Sequence, residues 1–111
     1  MKNLDFQYYN EEEFVEFLDS CSDVVSAKII VLIEKIEEYG LQTALELAWV
    51  KKIEKDLYEI RVNSSGMFPR VLFAKKKGNP TEYIIISYFN KKSNKIPINE
   101  LQKARKRKKQ V

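Results

Sequence analysis

The spacing of apolar residues changes period once along the 111-residue chain, and that change sets the fold class. From Ser22 to Tyr39 the apolar positions Val25, Ile29, Leu32, Ile36 and Tyr39 recur in alternating steps of four and three, with Ile33 widening the stripe. One face of a helix requires that spacing, and Gly40 supplies a left-handed stop. From Tyr58 the period is two. Tyr58, Ile60 and Val62 fall on one side of an extended strand, and Glu59, Arg61 and Asn63 on the other. Asn63-Ser64-Ser65-Gly66 then turns the chain, Arg70–Ala74 returns as a second strand, Gly78-Asn79-Pro80 turns again, and Tyr83–Phe89 forms a third. The last of these is apolar almost throughout, which places it centrally with both faces covered.

The flanks complete the pattern. Leu4–Tyr8 alternates like a short strand. Asn10 can cap a following helix, with Glu13 as the reciprocal partner of a capping box and Phe14, Phe17 and Leu18 as the apolar stripe. Residues 41–48 form a connection rich in Leu and Ala, and Trp49–Ile53 suits a short additional strand. Pro97 opens a final helix with a thin stripe at Ile98, Leu101 and Ala104. Beyond it, the basic tail 103–111 is expected to fray. The expectation is a single α+β domain spanning 1–111: an N-terminal strand and two helices packed on an antiparallel β-meander, closed by a short C-terminal helix.

Charge divides along the same boundary. Residues 1–49 carry 3 lysines against 11 acidic residues, a net of −8, while residues 50–111 carry 17 basic against 5 acidic residues, a net of +12. The modest total of +4 therefore conceals a basic half suited to a polyanion. The chain has no His, which excludes a Ser–His–Asp triad, a His acid–base pair and any His-ligated metal. A single cysteine, Cys21, forms no internal disulfide, and three glycines provide no phosphate-cradling loop. Met1–Asp5 lacks the apolar core of an export signal, and the longest apolar run, Ile29–Ile33, is too short to span a bilayer. A cytosolic domain with no metal or cofactor and no membrane partner is expected.

Within the basic half, Arg61 and Arg70 lie inside otherwise apolar strands and need a reason to be there. An ion pair with a carboxylate such as Glu59 is one reason, and an aligned arginine pair for phosphate is the other. Lys91 and Lys92 follow the third strand closely enough to join them, with Lys95 next and Lys51 and Lys52 on the preceding segment. Lys103, Arg105 and Arg107 of the tail are candidates for an auxiliary RNA-binding arm. Tyr58, Phe68, Phe73, Tyr88 and Phe89 interleave with these cations, a combination that suits single-stranded nucleic acid. Tyr58 and Phe73 sit on the strand sides that face the helices, where core packing accounts for them.

These residues also carry a resemblance. The string VKKIEKDLYEIRV over residues 50–62 resembles the K-x-L-x-x-x-L-Y-E-L-R-V signature of RelE/HigB-type toxins. RVLF at 70–73, FNKK at 89–92, and Lys95-Ile96-Pro97 with Glu100 and Ala104 resemble the family's next segments in order. The match is nearest to the phage-derived HigB-like branch of the RelE/ParE superfamily and covers about residues 4–107. The resemblance implies a microbial-RNase-like fold and the toxin of a type II toxin–antitoxin system, cleaving mRNA in the ribosomal A site. The implied partner is a cognate antitoxin with a helix-turn-helix domain, similar to HigA. By the same resemblance Arg61, Arg70 and Lys91 are the catalytic candidates, with Arg70 stabilising the scissile phosphate. Where relatives have a Tyr or His near the start of the C-terminal region, this chain has Ser93, Asn94, Lys95, Ile96 and Pro97. The base is then a lysine deprotonated among cations, with Lys91 favoured, or Glu59, or a group of the ribosome. The alternative is a non-catalytic phage or mobile-element protein of the same fold that binds RNA, the ribosome or a host protein.

Overall fold

The computed structural model describes residues 2–111. Its elements run β1 (Asp5–Tyr8), α1 (Glu11–Ser20), α2 (Asp23–Glu46), β2 (Val50–Glu54), β3 (Leu57–Arg61), β4 (Pro69–Lys75), β5 (Glu82–Asn90) and α3 (Ile98–Lys109). Both early helices start on side-chain caps. Asn10 Oδ1 accepts from the Glu13 N–H at 3.0 Å, and Ser22 Oγ from the Val25 N–H at 3.2 Å. The capping box is only half formed, because the Glu13 carboxylate turns away from Asn10 towards Arg107, Tyr88 and Lys103.

In α2 the expected stripe is buried at Val25, Ile29, Ile33 and Ile36, while Tyr39 lies outside the core, edge-on to Trp49 at 6.0 Å. Gly40 interrupts the helix at φ 88° and ψ 168°, and helical geometry resumes to Glu46. The expected connection at 41–48 is therefore mostly helix, held by the buried Ala44. Glycine is needed at the break for two reasons. Its φ is positive, and a Cβ there would stand 3.3 Å from Asn3 Cβ, where the incoming chain passes. Asn3 and Leu4 both donate backbone bonds to the Glu37 carbonyl, at 2.7 and 3.2 Å.

The five strands form one sheet in the order β1-β5-β4-β3-β2. The β2 to β5 run is the expected antiparallel meander, with β2 shifted one residue from its expected place. The sheet as a whole is mixed, because β1 pairs parallel with β5. Helices α1 and α2 cover one face through Phe14, Ile29, Ile33 and Ile36, against Ile60, Val71, Phe73 and Ile85. Helix α3 covers the other through Leu101 and Ala104, against Leu57, Leu72, Ile84, Ile86 and Phe89. With both faces covered, β4 and β5 read as continuous apolar runs.

The tail differs most from expectation. Helix α3 continues to Lys109, and the cations expected to fray are held against the body. Arg105 Nε meets Glu54 at 2.8 Å, Arg107 forks onto Glu13, and Lys108 Nζ donates to the Lys55 carbonyl. Carboxylates supplied by distant elements give the basic residues fixed partners that an isolated segment lacks.

Candidate functional site

The register of β3 against β4 sets Arg61 directly across from Arg70, and β5 sets Phe89 on the other side of Arg70. That register follows from the connecting turn. Ser65 and Gly66 both have positive φ, at 53° and 76°, and Ser64 bridges to Met67. Lys91 joins from the end of β5, its N–H donating to the Phe68 carbonyl at 2.9 Å. Together Lys51, Arg61, Arg70, Lys91 and Lys92 line a cleft of about 400 Å³, with Asn63, Phe68, Ser93 and Asn94. A neighbouring hollow of about 350 Å³ shares Lys51, Lys91 and Asn94, and adds Lys52, Glu59 and Lys95.

The two arginines differ in what they offer. Arg70 is 4% exposed. Its Nη1 donates to the carbonyls of Val62 at 2.9 Å and Pro69 at 3.0 Å, and both Nη atoms reach Asn63 Oδ1 at 3.3 Å. Arg61 has a side chain 39% exposed, facing the cleft. Between them stands Glu59, whose side chain is 1% exposed, with Oε1 at 3.9 Å from Arg61 Nε and 4.0 Å from Arg70 Nε. Of the two reasons weighed for these arginines the ion pair is present, since each has Glu59 within 4.0 Å, and both side chains also line the cleft. Burial pushes the Arg70 guanidinium below its ordinary value, Glu59 opposes that, and Arg61 adds to it. Glu59 Oε2 and Arg70 Nε have no hydrogen-bond partner among the described residues, so this buried pair is loosely closed.

Lys103, Arg105 and Arg107 do not reach the cleft. Arg107 donates to Glu13 from Nη1 at 2.6 Å and Nη2 at 3.1 Å, and also to the Ile86 carbonyl at 2.9 Å. Lys103 pairs with the same carboxylate at 3.5 Å, and Tyr88 donates its hydroxyl to it. The Arg107 guanidinium, with Tyr88 and Lys103, holds Glu13 down at about 2. Burial and the Glu13 charge raise the Tyr88 phenol, and Glu13 raises Arg107. These cations clamp α3 onto α1 and β5. The residues expected to form an auxiliary RNA arm, Lys103, Arg105 and Arg107, thus lie outside the cleft, with their charges paired on Glu13 and Glu54. Sequence reasoning missed Asn63 as an Arg70 ligand, although its place in the turn after Arg61 was visible.

The interleaved aromatics also sort by position. Tyr58 stacks on Phe73 at 5.3 Å and Tyr83 meets Phe73 edge-on at 5.6 Å, all on the side facing the helices. Tyr88 packs with Phe14 and Phe17, and Phe89 is buried under α3. Phe68 alone of these lines the cleft. Among the described residues no helix is long and apolar enough to cross a membrane, and no three Cys, Asp or Glu side chains gather as a metal-binding group.

No curated protein matches the chain with statistical significance. A family model described as "Phage derived protein Gp49-like (DUF891)" matches residues 16–109, a span that contains both cleft arginines, Glu59 and all the cleft lysines. The chain belongs to this Gp49-like family of phage-derived proteins, a family associated with RelE/HigB-type toxins.

Proposed function

We propose that the chain is the toxin of a type II toxin–antitoxin system, acting in the cytoplasm as a metal-independent endoribonuclease on mRNA in the ribosomal A site. The observation that carries the proposal is the meeting of Arg61 from β3, Arg70 from β4 and Lys91 from the segment just after β5 in one cationic cleft. In the proposed reaction the ribose 2′-oxygen forms a bond to its own 3′ phosphorus as the bond to the next nucleotide's 5′-oxygen breaks. The products are a 2′,3′-cyclic phosphate and a 5′-hydroxyl. The 2′-hydroxyl proton goes to a base, for which Lys91 is proposed, and the leaving oxygen takes a proton from water or the ribosome. Arg61, exposed to the cleft, meets the charge that develops on the phosphorane. One such donor is worth about 2.7–4 kcal/mol, or roughly a hundred- to a thousandfold in rate. Arg70 acts from behind, its positive charge held in place by two carbonyls and Asn63. The proposed silencing partner is an antitoxin with a helix-turn-helix domain.

The test is tightly controlled induction in bacteria with mapping of mRNA 5′ ends, using Arg61→Ala as the control. New ends in translated messages, absent with Arg61→Ala, are the expected result. Growth arrest and identical ends with Arg61→Ala would remove the cleft from the chemistry. One observation favours a second reading, a non-catalytic binder of RNA or the ribosome. The Arg70 guanidinium is largely occupied by protein acceptors. Co-sedimentation with ribosomes without new mRNA ends would establish that reading instead.

A further inference from the structure

The cleft holds one side chain for which phosphate chemistry has no use. Phe68 stands in its wall, 45% exposed, and is the single aromatic ring in a lining otherwise cationic or polar among the described residues. Its backbone is fixed from both directions. On one side Ser64 and Met67 exchange backbone bonds of 3.0 and 2.8 Å around the Ser65-Gly66 turn. On the other Pro69 follows, already paired in β4, and the Phe68 carbonyl is held by the Lys91 N–H at 2.9 Å. An isolated exposed apolar side chain is ordinary on a protein surface. A ring set among Arg61, Lys91 and Lys92 is a different case, because water-exposed cations and a half-exposed aromatic ring together match a nucleotide.

We infer that Phe68 is a nucleobase-binding residue, on which one base of a single-stranded RNA stacks while Arg61 and Lys92 hold the adjoining phosphate. The inference rests on the RNA reading of the cleft and adds the residue that contacts a base. A duplex cannot satisfy the geometry, because its bases are stacked on one another and present no free face. With a ring on one side only, the contact tolerates any base. Asn63 and Asn94, in the same lining, offer hydrogen bonds to a base edge.

The experiment titrates the full chain against a fluorescein-labelled single-stranded RNA of about ten nucleotides at low salt. Loss of one base stack should weaken binding by Phe68→Leu about tenfold, whereas Phe68→Tyr and Phe68→Trp should retain it. The same strand with abasic residues should bind the parent and Phe68→Leu equally, since only the base meets the ring. Equal affinity of Phe68→Leu and parent for the base-bearing strand would overturn the inference. So would an undiminished loss on the abasic strand, or no binding by the parent. Matching urea melts would exclude misfolding of the exposed-site variant. The strand need not be cut, so failure of the mRNA mapping would leave this result standing, and the reverse also holds.

Discussion

Replacing Glu13 with Gln tests whether the basic C-terminal helix is anchored or free. In the folded chain Glu13 receives two bonds from Arg107, 2.6 and 3.1 Å, and a third from Tyr88, with Lys103 at 3.5 Å. Its carboxyl is held at about 2 against an ordinary 4.5. Because the folded value is the lower one, the carboxylate's contribution to stability is complete above about pH 4.5 and is lost as pH falls through about 2. At about 1.4 kcal/mol per pH unit, the ceiling is about 3 kcal/mol. With 27% of the Glu13 side chain open to water, screening reduces this to about 1–2 kcal/mol. Urea melts at neutral pH should therefore find Glu13→Gln less stable by about 1–2 kcal/mol, and the gap should close as pH is lowered towards 2. Arg107→Ala should cost at least as much, because it also strips a donor from the Ile86 carbonyl. The two changes together should cost less than their sum, since each removes the same contact. A Glu13→Gln penalty below about 0.3 kcal/mol, or one that persists at about pH 2, would refute the docking of α3 through this carboxylate.

Arg70→Ala and Arg61→Ala should separate in stability even if both abolish activity. The first removes donors from the Val62 and Pro69 carbonyls and leaves Glu59 buried with Arg61 Nε at 3.9 Å, for a cost of about 3–5 kcal/mol. The second removes a partly exposed side chain and should cost less than about 1 kcal/mol, so equal melting temperatures would be the contrary result. Gly40→Ala should destabilise by about 1–3 kcal/mol, because an L side chain at φ 88° is strained and its Cβ would stand 3.3 Å from Asn3 Cβ. An unchanged thermal melt would count against the close approach of the N-terminal chain. Finally, Lys51, Arg61 and Lys92 acting as the phosphate contacts should give log affinity for single-stranded RNA a slope of about −2 against log salt. A slope of about −4 or steeper would bring the α3 cations back into the interface.

How much of this was legible in the sequence depends on the range of the rule involved. A two-residue turn at Ser65-Gly66 pairs Ser64 with Met67 and, counting back along both strands, Arg61 with Arg70. Strand alternation then places Glu59 on the same side as Arg61. The centre of the cleft therefore follows from local chemistry, and so do the caps at Asn10 and Ser22. The parallel pairing of β1 with β5 does not, because two helices and three strands separate them along the chain and no local signal links them. Nor does the clamp: Glu13 and Arg107 are 94 residues apart, and a carboxylate three residues past an N-cap has a complete local explanation without its distant partner. The tail did hold one sign. Lys103 and Arg107 are four apart in α3, on one helix face, and both meet the Glu13 carboxylate.

This changes the meaning of the division of charge. The −8 and +12 halves are not a simple dipole with a free basic face, since part of the second neutralises the first at Glu13. Arg105 is paired within its own half with Glu54, and Lys76 with Glu82. Among the described residues Lys51, Lys52, Lys91, Lys92 and Lys95 enter no ion pair and line the hollows around Arg61 and Glu59, while Lys75, Lys77, Lys108 and Lys109, also without an ion pair, line a separate hollow beside Asp56. Unpaired charge in water attracts a polyanion more strongly than charge already neutralised at 2.6–3.5 Å. Under the proposed function the cleft lysines are the part of this surplus that a strand's phosphates would meet first, displacing counter-ions as they bind, while Arg107 and Lys103 stay committed to Glu13.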